Sequence, residues 1–185
     1  MKILCFGDSN TFGYDPRSIL NSRYGKEDRW VDLVQAQTGW ELINAGQNGR
    51  EIPRRSFEIT SVQQLILQHQ PDLILVMLGT NDLLQGADPE RITERMENFL
   101  RQLPVDVFLL APPPLKRGTW ITEDALLTDA AVHSDKFREL AQRLDIPFAD
   151  PFHWGIDLLF DGVHFSETGH HTFARQLIAA LKTIV

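Results

Sequence analysis

The chain has 185 residues, of which 43% are hydrophobic and 23% charged, and its formal net charge is −7. That length suits one domain able to bury a core without staples, and an acidic balance with no Lys/Arg cluster argues against a nucleic-acid partner, which needs a basic face. The single cysteine, Cys5, makes no intramolecular disulfide and lies in an apolar run, where it reads as a small buried hydrophobe.

No signal-peptide pattern follows Met1, and no apolar run is long enough to cross a bilayer. The expectation is a soluble, cytoplasmic protein without stable membrane association. Neither internal repeats nor low-complexity segments interrupt the chain.

The first predicted strand, Lys2–Phe6, stops at Gly7-Asp8-Ser9-Asn10. A Ser or Asp after a strand can cap a helix. The Ser-Asn-Thr turn could instead cradle a phosphate on backbone N–H groups, Asp8 could accept a phosphoryl group, or Ser9 could be a nucleophile. The connection Gly13–Asp28 is long for an α/β protein and is a candidate cover for a site or contact in a homo-oligomer. A helix over Arg29–Thr38 ends at Gly39, and a strand follows over Glu41–Asn44. The next loop, Asn44-Ala45-Gly46-Gln47-Asn48-Gly49-Arg50, offers either a plain turn or a bare Gly49 N–H for a ligand oxygen.

A helix over Arg54–His69 stops before Pro71, and Leu73–Leu78 is the central strand, apolar on both faces as in a covered parallel sheet. It ends in Gly79-Thr80-Asn81-Asp82. An amide there is a common turn former and also a neutral donor for a developing negative charge. Pro89–Gln102 reads as a helix behind an Asp88 N-cap, Val105–Leu110 as a strand, Glu123–Leu144 as a long helix with room for a break, and Ile146–Ala149 as the fifth strand. Ser166 caps a last helix running to about Leu181.

Strand and helix alternate throughout, which predicts an α/β sandwich. Ligands in such folds bind at the carboxyl ends of the strands. Two Asp-x-x-His pairs lie near the C-terminus: Asp150/His153 and Asp161/His164. A carboxylate placed this way can hold one ring nitrogen and free the other to take a proton. Asp161/His164 is preferred, since Pro151 stiffens the first pair, while His153 stays a pocket candidate. A serine, two donors and an Asp-His pair gathered at the carboxyl ends of the strands are the parts of an acyl-transfer site. The competing class is a flavodoxin-like phosphate- or flavin-binding module, which leaves Asn81 and Asp161/His164 unused. No Gly-x-Ser-x-Gly elbow is present.

GDSN, NAGQNG, LGTND and DGVHFS together resemble blocks I, II, III and V of the SGNH hydrolases, or GDSL-type esterases/lipases, in order from residue 7 to residue 166. GDSNTFG, Arg29-Trp30 and the Ala111–Pro114 stretch are most similar to the arylesterase-like, acyl-transferring branch. Asn10 stands where the family name has leucine. The resemblance implies a three-layer α/β/α sandwich around a five-stranded parallel sheet in one domain over residues 1–185. It implies Ser9 as nucleophile, His164 as base, Asp161 as its orienting carboxylate, and an oxyanion hole from Ser9 N–H, Gly49 N–H and the Asn81 amide. It implies an ester that is hydrolysed, or whose acyl group is transferred, with neither cofactor nor metal; the lack of a membrane-binding amphipathic helix favours a small carboxylic ester as substrate. An acetylated-sugar ester, a lysophospholipid or a thioester is the alternative substrate. Asp8 and Asp82 are read as loop-holding carboxylates. Phe12, Leu83, Phe152, Trp154 and Val163 are candidate pocket residues, and Pro112–Thr119 a candidate wall.

Overall fold

The computed structural model describes residues 1–18 and 23–183. Part of the Gly13–Asp28 connection, residues 19–22, therefore lies outside the described residues. Five parallel strands form one sheet in the order β2-β1-β3-β4-β5: β1 Lys2–Gly7, β2 Glu41–Asn44, β3 Leu73–Met77, β4 Val107–Leu110 and β5 Phe148–Ala149. This is the expected α/β/α sandwich.

Side chains alternate across a strand, so a strand apolar at every position feeds two cores. On β1 and β3, Leu4, Phe6, Ile74 and Val76 face a cluster with Phe99 and Phe137, whereas Ile3, Cys5, Leu75 and Met77 face one with Trp30 and Phe173. The first layer is built by α3 (Ser56–His69), α5 (Pro89–Leu100) and α6 (Asp124–Leu144), the second by α2 (Trp30–Thr38) and α7 (Glu167–Leu181). Burial also pushes the Cys5 thiol pKa well up, which suits an inert packing group.

The last two strands are shorter than expected. Asp106 O and Pro147 O still accept ladder bonds from Ile74 and Leu109, so the sheet edge extends one carbonyl beyond each strand. The long helix α6 is unbroken. Two short helices replace predicted loops, α1 (Ser9–Phe12) after β1 and α4 (Thr80–Leu84) after β3. Since β2 and β3 flank β1 on opposite sides, the order reverses between β1 and β3, and the α1 and α4 starts sit at that switch point. Among the described residues, no helix is long and apolar enough to cross a membrane.

Two histidines are sealed into these layers. His133 on α6 packs edge-on to Phe137 at 4.2 Å between centroids, and His170 on α7 packs against Tyr24 and Phe165. Each has an Nε2 without a partner among the described residues. Burial pushes His133 down to about 4 and His170 down to about 3. The unfolded chain takes up these protons near the ordinary value of 6.5, while the fold resists them. Their stabilising preference is complete above that value and is lost as pH falls toward 4, by about 3 kcal/mol for each ring. Urea unfolding of the wild type should therefore show a steep loss of stability between pH 7 and pH 4.5, and His133→Leu should make that loss shallower.

Candidate active site

The site is built on backbone that has already stopped being strand. Asp8 caps α1 by accepting a 3.0 Å bond from Asn10 N–H, which turns the chain so that Ser9 opens the helix. At the far end of the sequence, Asp161 Oδ1 accepts from the N–H groups of Val163 (2.9 Å) and His164 (3.0 Å). That turn aims the imidazole back at its own carboxylate. His164 Nδ1 meets Asp161 Oδ2 at 2.7 Å, and His164 Nε2 meets Ser9 Oγ at 2.9 Å. All three side chains are buried.

Asn10 joins the two halves. Its Nδ2 donates to Val163 O and its Oδ1 accepts from Phe165 N–H, both at 3.0 Å, so one amide grips the main chain on either side of His164. Trp30 Nε1 donates to Asn10 O at 2.9 Å, and Asn44 Nδ2 donates to Thr11 O at 2.8 Å. The sequence places Asn10 in the Ser-Asn-Thr turn and marks it as a departure from leucine without showing this role; a polar amide beside an apolar strand is the available signal.

Asn81 lies on α4 and donates through Nδ2 to Arg50 O at 3.0 Å. An amide nitrogen carries two hydrogens, so one remains for a ligand. Gly49, with a left-handed φ of 70°, shares a cleft of about 230 Å³ with Ser9, Asn81 and His164. The N–H groups of Ser9 and Gly49 meet no acceptor among the described residues. The cleft's remaining wall comes from Tyr14, Trp120 and Val163 at the imidazole end, with Asn48, Thr80 and Leu84 completing it.

Of the pocket candidates, Val163 lines this cleft and the other four pack elsewhere. Leu83 points into the first core, Trp154 packs on Phe173 in the second, Phe152 packs on His153, and Phe12 lies beneath the Arg23 guanidinium. The aromatic side chains that stand beside His164 in its lining, Tyr14 and Trp120, come from the long Gly13–Asp28 connection and from just beyond the proline-rich stretch. The second Asp-x-x-His pair is apart from the site. Asp150 accepts from Phe152 N–H and pairs with Arg138, while His153 is exposed.

Carboxylates and guanidinia hold the loops. Asp82, wholly buried, accepts from Ile52 N–H at 2.9 Å and from Arg95 at 2.7 Å, so it fixes the chain that carries Arg50 O and Gly49. Burial raises the Asp82 pKa despite those bonds. Arg50 donates to Gly7 O at 2.8 Å and to Ala45 O, with its guanidinium 4.1 Å from the centre of the Phe6 ring. Burial brings Arg50 down to about 10. Burial also pushes Asp161 up, but its bonds from the His164 ring and the two N–H groups outweigh this and hold its pKa below the usual carboxylate range.

The opposite balance holds at Asp8, where burial wins and raises the pKa to about 6. A buried carboxylate capping a four-residue helix also puts negative charge where a phosphate would bind, which disfavours a phosphate cradle. Because the folded pKa lies above the unfolded one, ionised Asp8 opposes folding at neutral pH, by about 3 kcal/mol. Asp8→Asn should therefore raise the urea midpoint at pH 7.5, with the difference vanishing below about pH 4 as the carboxyl is protonated in both states.

The chain is similar to several known proteins. An isoamyl acetate-hydrolyzing esterase of Saccharomyces cerevisiae is 27% identical over 215 residues, covering 98% of this chain and 86% of that protein. Thioesterase 1/protease 1/lysophospholipase L1 of Escherichia coli is 25% identical over 191 residues, covering 99% and 84%. The structure of the native M. smegmatis aryl esterase shares the fold with a TM-score of 0.83 at 23% identity, covering 100% of this chain and 99% of that one. The pattern that defines the GDSL-like lipase/acylhydrolase family matches residues 5–172, and the chain belongs to that family.

Proposed function

We propose that the chain is a serine esterase that hydrolyses small carboxylic esters through an acyl-enzyme on Ser9. The observation that carries this reading is the unbroken chain from Ser9 Oγ through His164 to buried Asp161, with separations of 2.9 and 2.7 Å.

In this mechanism His164 Nε2 takes the proton from Ser9 Oγ as the oxygen attacks the ester carbonyl. Asp161 accepts from Nδ1–H, which fixes the tautomer and stabilises the imidazolium that forms. The carbonyl oxygen becomes an oxyanion facing the N–H groups of Ser9 and Gly49 and the free Asn81 hydrogen. These donors are held in place before reaction, so they need no reorganisation when charge develops. The imidazolium then gives its proton to the departing alcohol oxygen. Water attacks the acyl-Ser9 ester by the same route in reverse, returning the proton to Ser9 and releasing the acid.

The cleft volume of about 230 Å³ lies below the roughly 300–1,000 Å³ of sites that enclose drug-sized ligands, which favours a short acyl group over a lipid chain. The yeast relative named for isoamyl acetate hydrolysis supports the same substrate size.

Hydrolysis of p-nitrophenyl acetate, butyrate and octanoate tests this. The wild type should prefer the shorter esters and lose activity toward acid pH. Ser9→Ala should fall by several orders of magnitude with an unchanged circular dichroism spectrum, and a fluorophosphonate should label wild type but not Ser9→Ala. Asn81→Ala should lower kcat by about 10²–10³-fold, the loss expected for one oxyanion donor. Equal slow rates for wild type and Ser9→Ala, with no labelling, would overturn the proposal.

A further inference from the structure

Trp120 is the largest side chain at the cleft that stays half in solvent, at 54% exposure. It is held there by the segment Lys116–Ile121, which is strapped along the turn bearing Asp161. Lys116 N–H donates to Gly162 O (3.0 Å), Thr119 N–H to Phe160 O (3.0 Å) and Trp120 N–H to Asp161 O (3.2 Å). Ile121, wholly buried, anchors one end, and Gly118 packs so close to the Asp161–Gly162 peptide that any side chain there would collide with it. A segment fastened this way has few alternative positions for its indole.

The indole meets the His164 ring edge-on, with centroids 5.2 Å apart at 81°. Tyr14 meets the same ring at 4.9 Å and 66°. Both aromatic rings therefore stand at the imidazole end of the cleft, while Gly49 and Asn81 stand where the oxyanion is to be held. The chemistry then divides an ester's two arms between these ends. His164 Nε2 must protonate the departing alcohol oxygen, so that oxygen and the group attached to it lie at the imidazole end. The acyl arm then points away from the imidazole end.

We propose that Trp120 is the specificity-determining wall of an alcohol-side subsite, which takes alcohols with a flat apolar body and leaves acyl selection to the opposite end. The indole supplies broad apolar area, and the strap holds it still, so the departing alcohol gains contact without ordering a flexible side chain. The exposed half of the ring leaves room for the alcohol to extend into solvent. This inference rests on the esterase reading, but it predicts a pattern that the reading alone does not.

The test uses two substrate series on purified wild type, Trp120→Ala, Trp120→Phe and Ser9→Ala. In the alcohol series the acyl group is fixed as acetate and the alcohol runs from methyl to benzyl to 2-naphthylmethyl. In the acyl series the alcohol is fixed as methyl and the acid runs from acetate to hexanoate. Trp120→Ala should lower the naphthylmethyl-to-methyl ratio of kcat/KM by about tenfold, while the hexanoate-to-acetate ratio moves less than twofold. Trp120→Phe should restore most of the alcohol ratio, which a loosened Asp161 turn would not allow. Phosphonylation of Ser9 by a fluorophosphonate, whose leaving group is only fluoride, reads any general loss of Ser9 reactivity in Trp120→Ala, against which the alcohol ratio is compared. A shifted acyl ratio with an unchanged alcohol ratio would overturn the proposal, as would a uniform loss on every ester and on phosphonylation. Wild-type turnover matched by Ser9→Ala would overturn the esterase reading and this inference with it, whereas Ser9-dependent turnover with unaltered ratios would overturn this inference alone.

Discussion

The side-chain amide of Asn10 is the constraint on which the site depends. Ser9 and His164 are 155 residues apart, and no strand or helix contains both. Asn10 bonds to Val163 O and Phe165 N–H at once, so it fixes the main chain that bears the imidazole relative to the helix that bears the hydroxyl. A leucine could fill that space but could satisfy neither main-chain group. In a buried setting the two bonds gain from the low local polarity, and the loss of either would leave an unpaired group.

Around that fixed point the molecule tolerates several groups in unfavourable states. Asp8 is ionised and Arg50 charged against their burial, and His133 and His170 are kept neutral. Asp8 and Arg50 adjoin the site; the two histidines lie in the layers that support it. Arg50 ties the β1 end to the loop after β2, and its own carbonyl receives Asn81. Local charge strain is thus coupled to loop geometry. This matches the general trade in which functional sites are held by surroundings more stable than themselves.

The sheet and the site differed in how much the sequence revealed. Runs such as Leu73–Met77 are short, apolar at every position and bounded by turn residues, as in a strand covered on both faces. The motif loops were legible because each follows such a strand or precedes a capped helix. Short helices α1 and α4 were not legible, since four or five residues carry no period and their form comes from Asp8 and from neighbouring loops. Tyr14 and Trp120 escaped notice for a different reason. Each lies in a connection whose path is set by distant partners, Tyr14 by a bridge to Arg23 and Trp120 by bonds to the Asp161 turn. Leu83 shows the converse: it adjoins a motif residue in sequence, yet helical geometry turns it into the core.

The span between Ser9 and His164 also has a consequence for how the molecule comes apart. His164 lies just before α7, whose apolar face rests on α2 and the sheet through Trp30, Phe173 and Leu177. The sheet's own pairings do not include α7. Peeling the C-terminal segment from its seat would separate His164 from Ser9 while leaving all five strands paired. The reactivity proposed for Ser9 would therefore gauge a partial opening, one that a spectroscopic signal dominated by the sheet would miss.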